Sequence, residues 1–436
     1  MNLILLIINF CIFGIILVSY SSSKFDFVAI SLLGCFISGV ITSSVLHIDM
    51  LSLAFSKYIE FEAIIVILCM SIITKIAQES NILEYLAIKL FKIVKGNRRS
   101  FFYIICFITT LLAAIISDVV VVLILAPIVI RLCHFLKIRS GTYLLGMTIC
   151  INIGSIITPF SSGENIIIST AYNLDTIYFI TYYWGFSFFL LFITAYLMDK
   201  FILTKEPEIE EMQKNFVLDL IDADTVIANK KMFYINSIGI IITIILFAIL
   251  PALYLSAAFS ALIMVLINKK FLKKDLKELL KGVEWEIIFF FMSLYVVVGC
   301  LLESGFEDLF KNIPFQVLNP FLVSLVILIL VSLVSGFVAN TPTALIFIPI
   351  VGLLISDFSF PSVPLYFSFI IAINIGGNLI PQGAACDMMT LKIAQKSGVE
   401  NLNFKRLLKV GATFAIIHIV LSIGYLFLLT LFTGGI

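Results

Sequence analysis

Charge is scarce in this chain of 436 residues: Asp, Glu, Lys and Arg together make up 13%, about half of the ~25% usual in soluble domains. The two signs nearly cancel, with 28 basic against 27 acidic side chains and a formal net charge of +1. No basic surplus exists to neutralise a phosphate backbone, so no nucleic-acid partner is expected. Few charges among many apolar residues is also the opposite of a disordered composition. Histidine is rare: His47, His134 and His418 stand far apart, and the eight cysteines form no C-x-x-C pair. Metal centres and disulfide frameworks need clustered ligands, so neither is expected and no cofactor is assigned. The apolar run from Leu3 to Val18 has no positive residue before it and no A-x-A site after it. It reads as a first membrane span rather than a cleaved signal.

What the chain does have is apolar surface. Hydrophobic residues make up 61%, including 41 Phe, far more than a soluble protein of this length could cover with polar groups. The fold class is therefore an all-α polytopic membrane protein, with the lipid bilayer of the plasma membrane as its surroundings. A span needs ~20 apolar residues to cross ~30 Å of hydrocarbon. Ten candidates lie at 1–20, 25–46, 62–78, 141–158, 176–198, 233–250, 252–267, 286–302, 364–380 and 408–432. Two further stretches, 100–132 and 317–355, are cut near their middles by Ser117-Asp118 and by Asn340-Thr341-Pro342. Each reads as a re-entrant hairpin. The first has basic residues on both flanks (Lys89 to Arg99, then Arg131, Lys137 and Arg139) and opens to the cytoplasm. The second is flanked by Glu303, Glu307, Asp308 and Asp357 and opens outward. Lys269 to Lys281 and Lys392 to Lys409 mark further cytoplasmic loops, so both termini count as external.

The sequence also repeats itself. Ile151-Asn152-Ile153-Gly154 recurs as Ile373-Asn374-Ile375-Gly376, a shift of 222 positions that also carries Pro127 to Pro349, Pro159 to Pro381 and Asp118 to Asn340. Upstream the shift is 224: Glu60, Glu62, Glu79 and Ser80 fall on Glu284, Glu286, Glu303 and Ser304. Residues 1–198 are thus a first repeat (hairpin 100–132, broken helix 141–170). Residues 199–232 are a cytoplasmic linker, and 233–436 a second repeat (hairpin 317–355, broken helix 364–390). Five crossings per half is an odd number, so the two repeats insert with opposite topology. Inverted repeats with interrupted helices near the midplane are an architecture of secondary transporters.

Polar residues gather at the four interruptions. They are Ser117-Asp118, the run Thr158 to Asn165, the run Asn340 to Thr343, and Asn378 with Pro381-Gln382-Gly383 and Asp387. Irregular backbone at this depth is tolerated only where it is buried in protein or lines a cavity. Burial disfavours the charged form of a carboxylate, which suits reversible protonation. Asp118, Asp387 and Glu164 are therefore the candidates for proton or cation coupling, although Glu164 could instead be solvated beyond the break. Ser117, Asn152, Thr158, Ser161, Ser162, Gly163, Asn165, Asn340, Thr341, Thr343, Asn374, Gly377, Asn378, Gln382 and Gly383 are the candidates for holding an ion or substrate. Glu60, Glu62, Glu284 and Glu286 sit at span starts and complement helix N-termini. Lys75 is read as snorkelling to the interface.

These motifs resemble the ion transporter superfamily, which contains arsenite permeases, Na⁺/H⁺ antiporters and citrate or dicarboxylate symporters. Ala339-Asn340-Thr341 is similar to its Ser-Asn-Thr hairpin tip, and Gly376-Gly377-Asn378 with Pro381 to Ala385 to its broken second-half helix. Asp118-Val119 and Gly163-Glu164-Asn165 depart from the usual residues. The resemblance implies scaffold and transport domains that shift like an elevator, a homodimer, and Na⁺ or H⁺ as coupling ion, with Asn340 and Asp118 among the Na⁺ ligands. It implies a carrier of small ions, not an enzyme. Three acidic groups with no arginine nearby slightly favour cation/proton antiport over an anion permease of the citrate or dicarboxylate type or arsenite-type metalloid efflux. An intramembrane aspartyl protease would use two membrane aspartates, but its G-x-G-D run is absent.

Overall fold

The computed structural model describes residues 2–21, 25–93, 97–207, 223–250, 252–272, 277, 280–311, 313 and 315–433. Residues 208–222 of the linker expected at 199–232 lie outside them. Among the described residues the secondary structure is helical, with no strand. The first half runs α1 (Leu3–Ser21), α2 (Phe27–Leu46), α3 (Phe61–Glu79), the amphipathic α4 (Ile82–Ile93), α5 (Arg98–Ala113), α6 (Asp118–Phe135), α7 (Gly141–Gly154), α8 (Gly163–Tyr172) and α9 (Gly185–Phe201). The second runs α10 (Lys230–Ile249), α11 (Leu253–Leu272), α12 (Trp285–Glu303), α13 (Pro320–Val338), α14 (Asn340–Ser356), α15 (Ser362–Gly376), α16 (Ala385–Lys396) and α17 (Phe404–Phe432).

Helix boundaries keep the spacings of the sequence. Asp118 and Asn340 open α6 and α14, Gly154 and Gly376 close α7 and α15, and Gly163 and Ala385 open α8 and α16, each pair 222 positions apart. Phe61 and Trp285 open α3 and α12, and Glu79 and Glu303 close them, each pair 224 apart.

Ten helical segments among the described residues are long and apolar enough to cross a membrane. The number equals the expected one, but the membership differs. The hairpin helices α6 and α13 are in it, at 18 and 19 residues, roughly 27–29 Å by the helical rise. The stretch expected at 141–158 is instead the 14-residue α7, only about 21 Å long. It stops early because the chain unwinds ahead of Pro159, which has no amide hydrogen to continue the ladder. All fourteen residues of α7 are buried, so this short helix sits at the centre of the bundle rather than against lipid. Exposed Leu, Ile and Phe side chains on α1, α2, α10 and α11 supply the apolar outer belt.

The packing exchanges partners between halves. α2 lies against α12, and α11 against α3. Asparagines fasten these contacts: Asn9 Nδ2 donates to Thr42 Oγ1 (3.1 Å) and Ser304 Oγ (3.0 Å), and Asn236 Nδ2 to Ser80 Oγ (2.6 Å) and Asn268 Oδ1 (2.9 Å). Hydrogen bonds between membrane helices average about 0.6 kcal/mol each, so each clasp contributes about 1 kcal/mol and, more usefully, fixes register. Inside, α5 packs on α7 and α13 on α15, while α6 meets α16 and α14 meets α8. The α13–α15 contact is backbone against backbone: a Cβ on Gly376 would stand 2.5 Å from the Ser332 carbonyl oxygen. Each hairpin thereby rests on the broken helix of its own half and touches the short half-helix of the other.

Candidate functional site

Both breaks are held by buried side-chain amides. In the first, the unwound carbonyl of Thr158 accepts from Asn165 Nδ2 at 3.2 Å and from Ser161 Oγ at 2.9 Å. Thr158 Oγ1 donates to the Ala114 carbonyl at the first hairpin tip. In the second, a 3₁₀ turn at Gly377–Leu379 precedes Pro381, and the Gly383 amide closes back on the Ile380 carbonyl at 2.8 Å. The two asparagines of the repeated tetrapeptide bridge across. Asn152 Nδ2 donates to Asn378 Oδ1 (2.6 Å) and Asn374 Nδ2 to Asn165 Oδ1 (2.9 Å). Each intact half-helix therefore reaches the other half's break, which satisfies polar groups that lipid could not.

The second hairpin turns at Ala339, whose φ of 85° is rare outside glycine. This lies one residue ahead of the expected tip, so Asn340-Thr341-Pro342 form the first turn of α14. Ser335 Oγ donates to Asn340 Oδ1 at 2.7 Å, which orients the amide so that Nδ2 donates to Glu164 Oε1 at 3.0 Å. Thr341 Oγ1 stands 3.5 Å from the other carboxylate oxygen. Glu164 is only 6% exposed and lies in the first turn of α8, where the unpaired amides of a helix start favour negative charge. It is therefore not a solvated residue beyond the break. At the first hairpin, Asp118 opens α6 and is half-buried.

Asp118 and Glu164 line one cavity of about 280 Å³, together with Ser117, Ser161, Ser162, Gly163 and Thr341. Asp387 does not line it. Its carboxylate is 1% exposed and accepts from Thr148 Oγ1 at 2.6 Å, in the packing between α7 and α16. Beside it the Cys386 thiol faces Asn152 Oδ1 at 3.4 Å.

Thr343, Gly377, Gln382 and Gly383 stand outside the lining of that cavity. Thr343 Oγ1 donates to the Ala339 carbonyl within its own turn. Gly377 and Gly383 are places of close approach: a Cβ on the first would come within 2.9 Å of Asn340 Oδ1, and on the second within 2.9 Å of the Gly336 carbonyl. Gln382 is exposed and stands apart from the cavity lining. Of the residues expected as Na⁺ ligands, Asp118 lines the cavity, while Asn340 Oδ1 accepts from Ser335 Oγ and its Nδ2 donates to Glu164. No group of three His, Cys, Asp or Glu side chains that could hold a metal ion occurs among the described residues.

Sequence reasoning missed a third wall. Ser71, Thr74, Lys75 and Gln78 on α3 and Glu284 at the start of α12 also line the cavity. The stem of Lys75 lies across Gly282, where a Cβ would come 3.0 Å from its Cε.

Apolar helices of membrane-crossing length around a cavity that holds two carboxylates, with interrupted helices at its walls, define a membrane transporter. The chain belongs to the citrate transporter family, whose model matches residues 12–351, within the ion transporter superfamily. It is similar to an uncharacterized transporter of Mycobacterium tuberculosis, 23% identical over 378 residues that cover 85% of this chain and 86% of that one. It is also similar to a 46 kDa membrane protein of Mycobacterium leprae, 22% identical over 399 residues (89% and 91%). A shorter match to the P protein of Mus musculus is 25% identical over 171 residues, 37% of this chain and 20% of that protein.

Proposed function

We propose that this chain is a secondary transporter that carries a small carboxylate anion, coupled to Na⁺ or H⁺ at Asp118 and Glu164. The observation that carries this reading is the size of the cavity. Its ~280 Å³ approaches the ~300 Å³ at which small-molecule sites begin and is far more than a bare cation needs. The printed description of the family, citrate transporter, points the same way. A coupling cation bound between the two carboxylates offsets the repulsion that an anion would otherwise meet there. Helix starts at Asp118, Gly163 and Asn340 turn backbone amides toward the same region, which favours an anion.

The recurring helix boundaries and exchanged partners support two inverted repeats, in which the hairpins and broken helices move together as a transport domain against a scaffold of α1–α3 and α10–α12. We extend the proposal to a plasma-membrane homodimer with external termini. A second reading, cation/proton antiport, is favoured by the two carboxylates in the cavity wall. Proteoliposomes separate the two. Uptake of radiolabelled citrate driven by an inward Na⁺ or H⁺ gradient supports the anion carrier. Cation-dependent alkalinisation of an acid-loaded lumen, with no citrate uptake, supports antiport and refutes the first reading.

A further inference from the structure

The two halves differ at matching positions where the first faces the cavity. Ser71, Thr74, Lys75 and Gln78 follow the i, i+3, i+4, i+7 spacing of one helical face, and all four line the cavity. Shifted by 224 positions they fall on Tyr295, Val298, Gly299 and Leu302 of α12. Those four line a second, smaller cavity of about 130 Å³, beside Tyr58 and Glu60. The two helices begin and end in the same register, yet one carries a polar stripe and the other an apolar face. Packing in lipid does not ask for the stripe, because a lysine within a span is costly and is kept where it faces a cavity or a partner.

Lys75 is half-buried and ion-paired to no described residue. It is the one basic side chain among the described cavity lining, against Asp118, Glu164 and Glu284. Room for it is built in, since Gly282 leaves space for the butyl stem to lie along the wall. Ser71 Oγ faces the Glu284 amide at 3.4 Å as an acceptor, so its own proton remains free to donate into the cavity. The stripe thus offers an ammonium, two hydroxyls and a primary amide, a set of donors suited to carboxylate oxygens.

We propose that this face of α3, with Lys75 at its centre, is the wall through which the scaffold binds the anion in the conformation described here, before the transport domain carries it away. The ammonium pairs with a carboxylate of the solute, while Ser71, Thr74 and Gln78 hold its remaining oxygens. The coupling ion sits opposite, at Asp118 and Glu164. This inference rests on the anion-carrier reading above and adds the residues that recognise the solute.

The test uses the full chain in proteoliposomes with radiolabelled citrate, succinate and lactate, under an imposed Na⁺ or H⁺ gradient. Lys75→Met is expected to raise KM for the transported probe roughly 10-fold to 100-fold, as loss of a charge-assisted contact implies. Vmax and the half-saturating concentration of the coupling ion should change little, and Lys75→Arg should keep KM within a few-fold. Should Lys75→Met fail to fold, Lys75→Arg and Gln78→Leu carry the test, the second with a several-fold rise in KM. An unchanged KM in Lys75→Met overturns the inference and leaves the anion carrier standing. A changed coupling-ion requirement at constant KM also overturns it, because Lys75 would then only balance the carboxylates. A wild-type chain that carries none of the three probes overturns both readings.

Discussion

Replacing Glu164 by Gln is the most informative single change, because it removes a charge and spares the contacts. Asn340 Nδ2 donates to one carboxylate oxygen at 3.0 Å, and the glutamine carbonyl can accept the same bond. The glutamine amide then faces Thr341 Oγ1, which stands 3.5 Å from the second oxygen and can turn from donor to acceptor. Hydrogen bonds to a charged group contribute about 1.5–3 kcal/mol and neutral ones about 0.5–1.5, so the exchange should cost about 1 kcal/mol. For a protein of this size that lowers Tm by no more than about 3 °C. Glu164→Ala is different, because it strands Asn340 Nδ2 in a buried site at a cost of about 1–3 kcal/mol. Transport should separate the two effects. Without the charge, a coupling cation loses a partner in a low-dielectric cavity, and gradient-driven accumulation of citrate in proteoliposomes should fall by roughly 100-fold. Melting in detergent and uptake would be measured on the same preparation. Wild-type accumulation by Glu164→Gln, with the same cation dependence, would refute the assignment of Glu164 as a coupling group.

Asp118→Asn places at the first hairpin tip the residue that already opens α14, so it should fold and lose the pH or cation dependence of uptake; an unchanged dependence counts against Asp118. Gly376→Val drives side-chain atoms into the Ser332 backbone, whose carbonyl oxygen and Cα lie 2.5 and 2.7 Å from the added Cβ position, and should destabilise by about 1–3 kcal/mol or more. Gly352→Ala, where nothing lies within 4 Å of a new Cβ, is the matched control and should leave Tm unchanged or slightly raised. Asn152→Ala removes the donor from Asn378 Oδ1 and should cost about 1–3 kcal/mol, read as a lowered melting temperature together with slower uptake; an unaltered melt would mean that the bridge is not formed.

The number of spans, the four interruptions and the recurrence of boundaries were legible because each has a local signal: an apolar run, a proline, or a repeated tetrapeptide. The membership of the ten spans was less so, because hydropathy does not register where a helix ends within an apolar run, as α7 does at Gly154. Pairings across the bundle were also hidden. Asn340 bonds Glu164, which answers to Cys386 and has no acidic counterpart, so the repeat itself gave no sign of that pairing. Gln382 was assigned to the site by its place beside Pro381, but an irregular segment has no period from which the direction of a side chain can be read. The α3 stripe did have a period. Ser71, Thr74, Lys75 and Gln78 were passed over because Lys75, near the end of an apolar span, was read alone rather than with its helical neighbours.

The asparagine clasps bear on how this protein is made. Ser80 closes α3 early in synthesis, yet the Asn236 amide that reaches it lies 156 residues later; the Asn9 amide waits 295 residues for Ser304. A nascent chain halfway off the ribosome therefore lacks one partner of each clasp, although Asn9 already meets Thr42 and Ser38. Each half is completed by the other, and a gene severed between them would give a working carrier only if both products met in the same membrane.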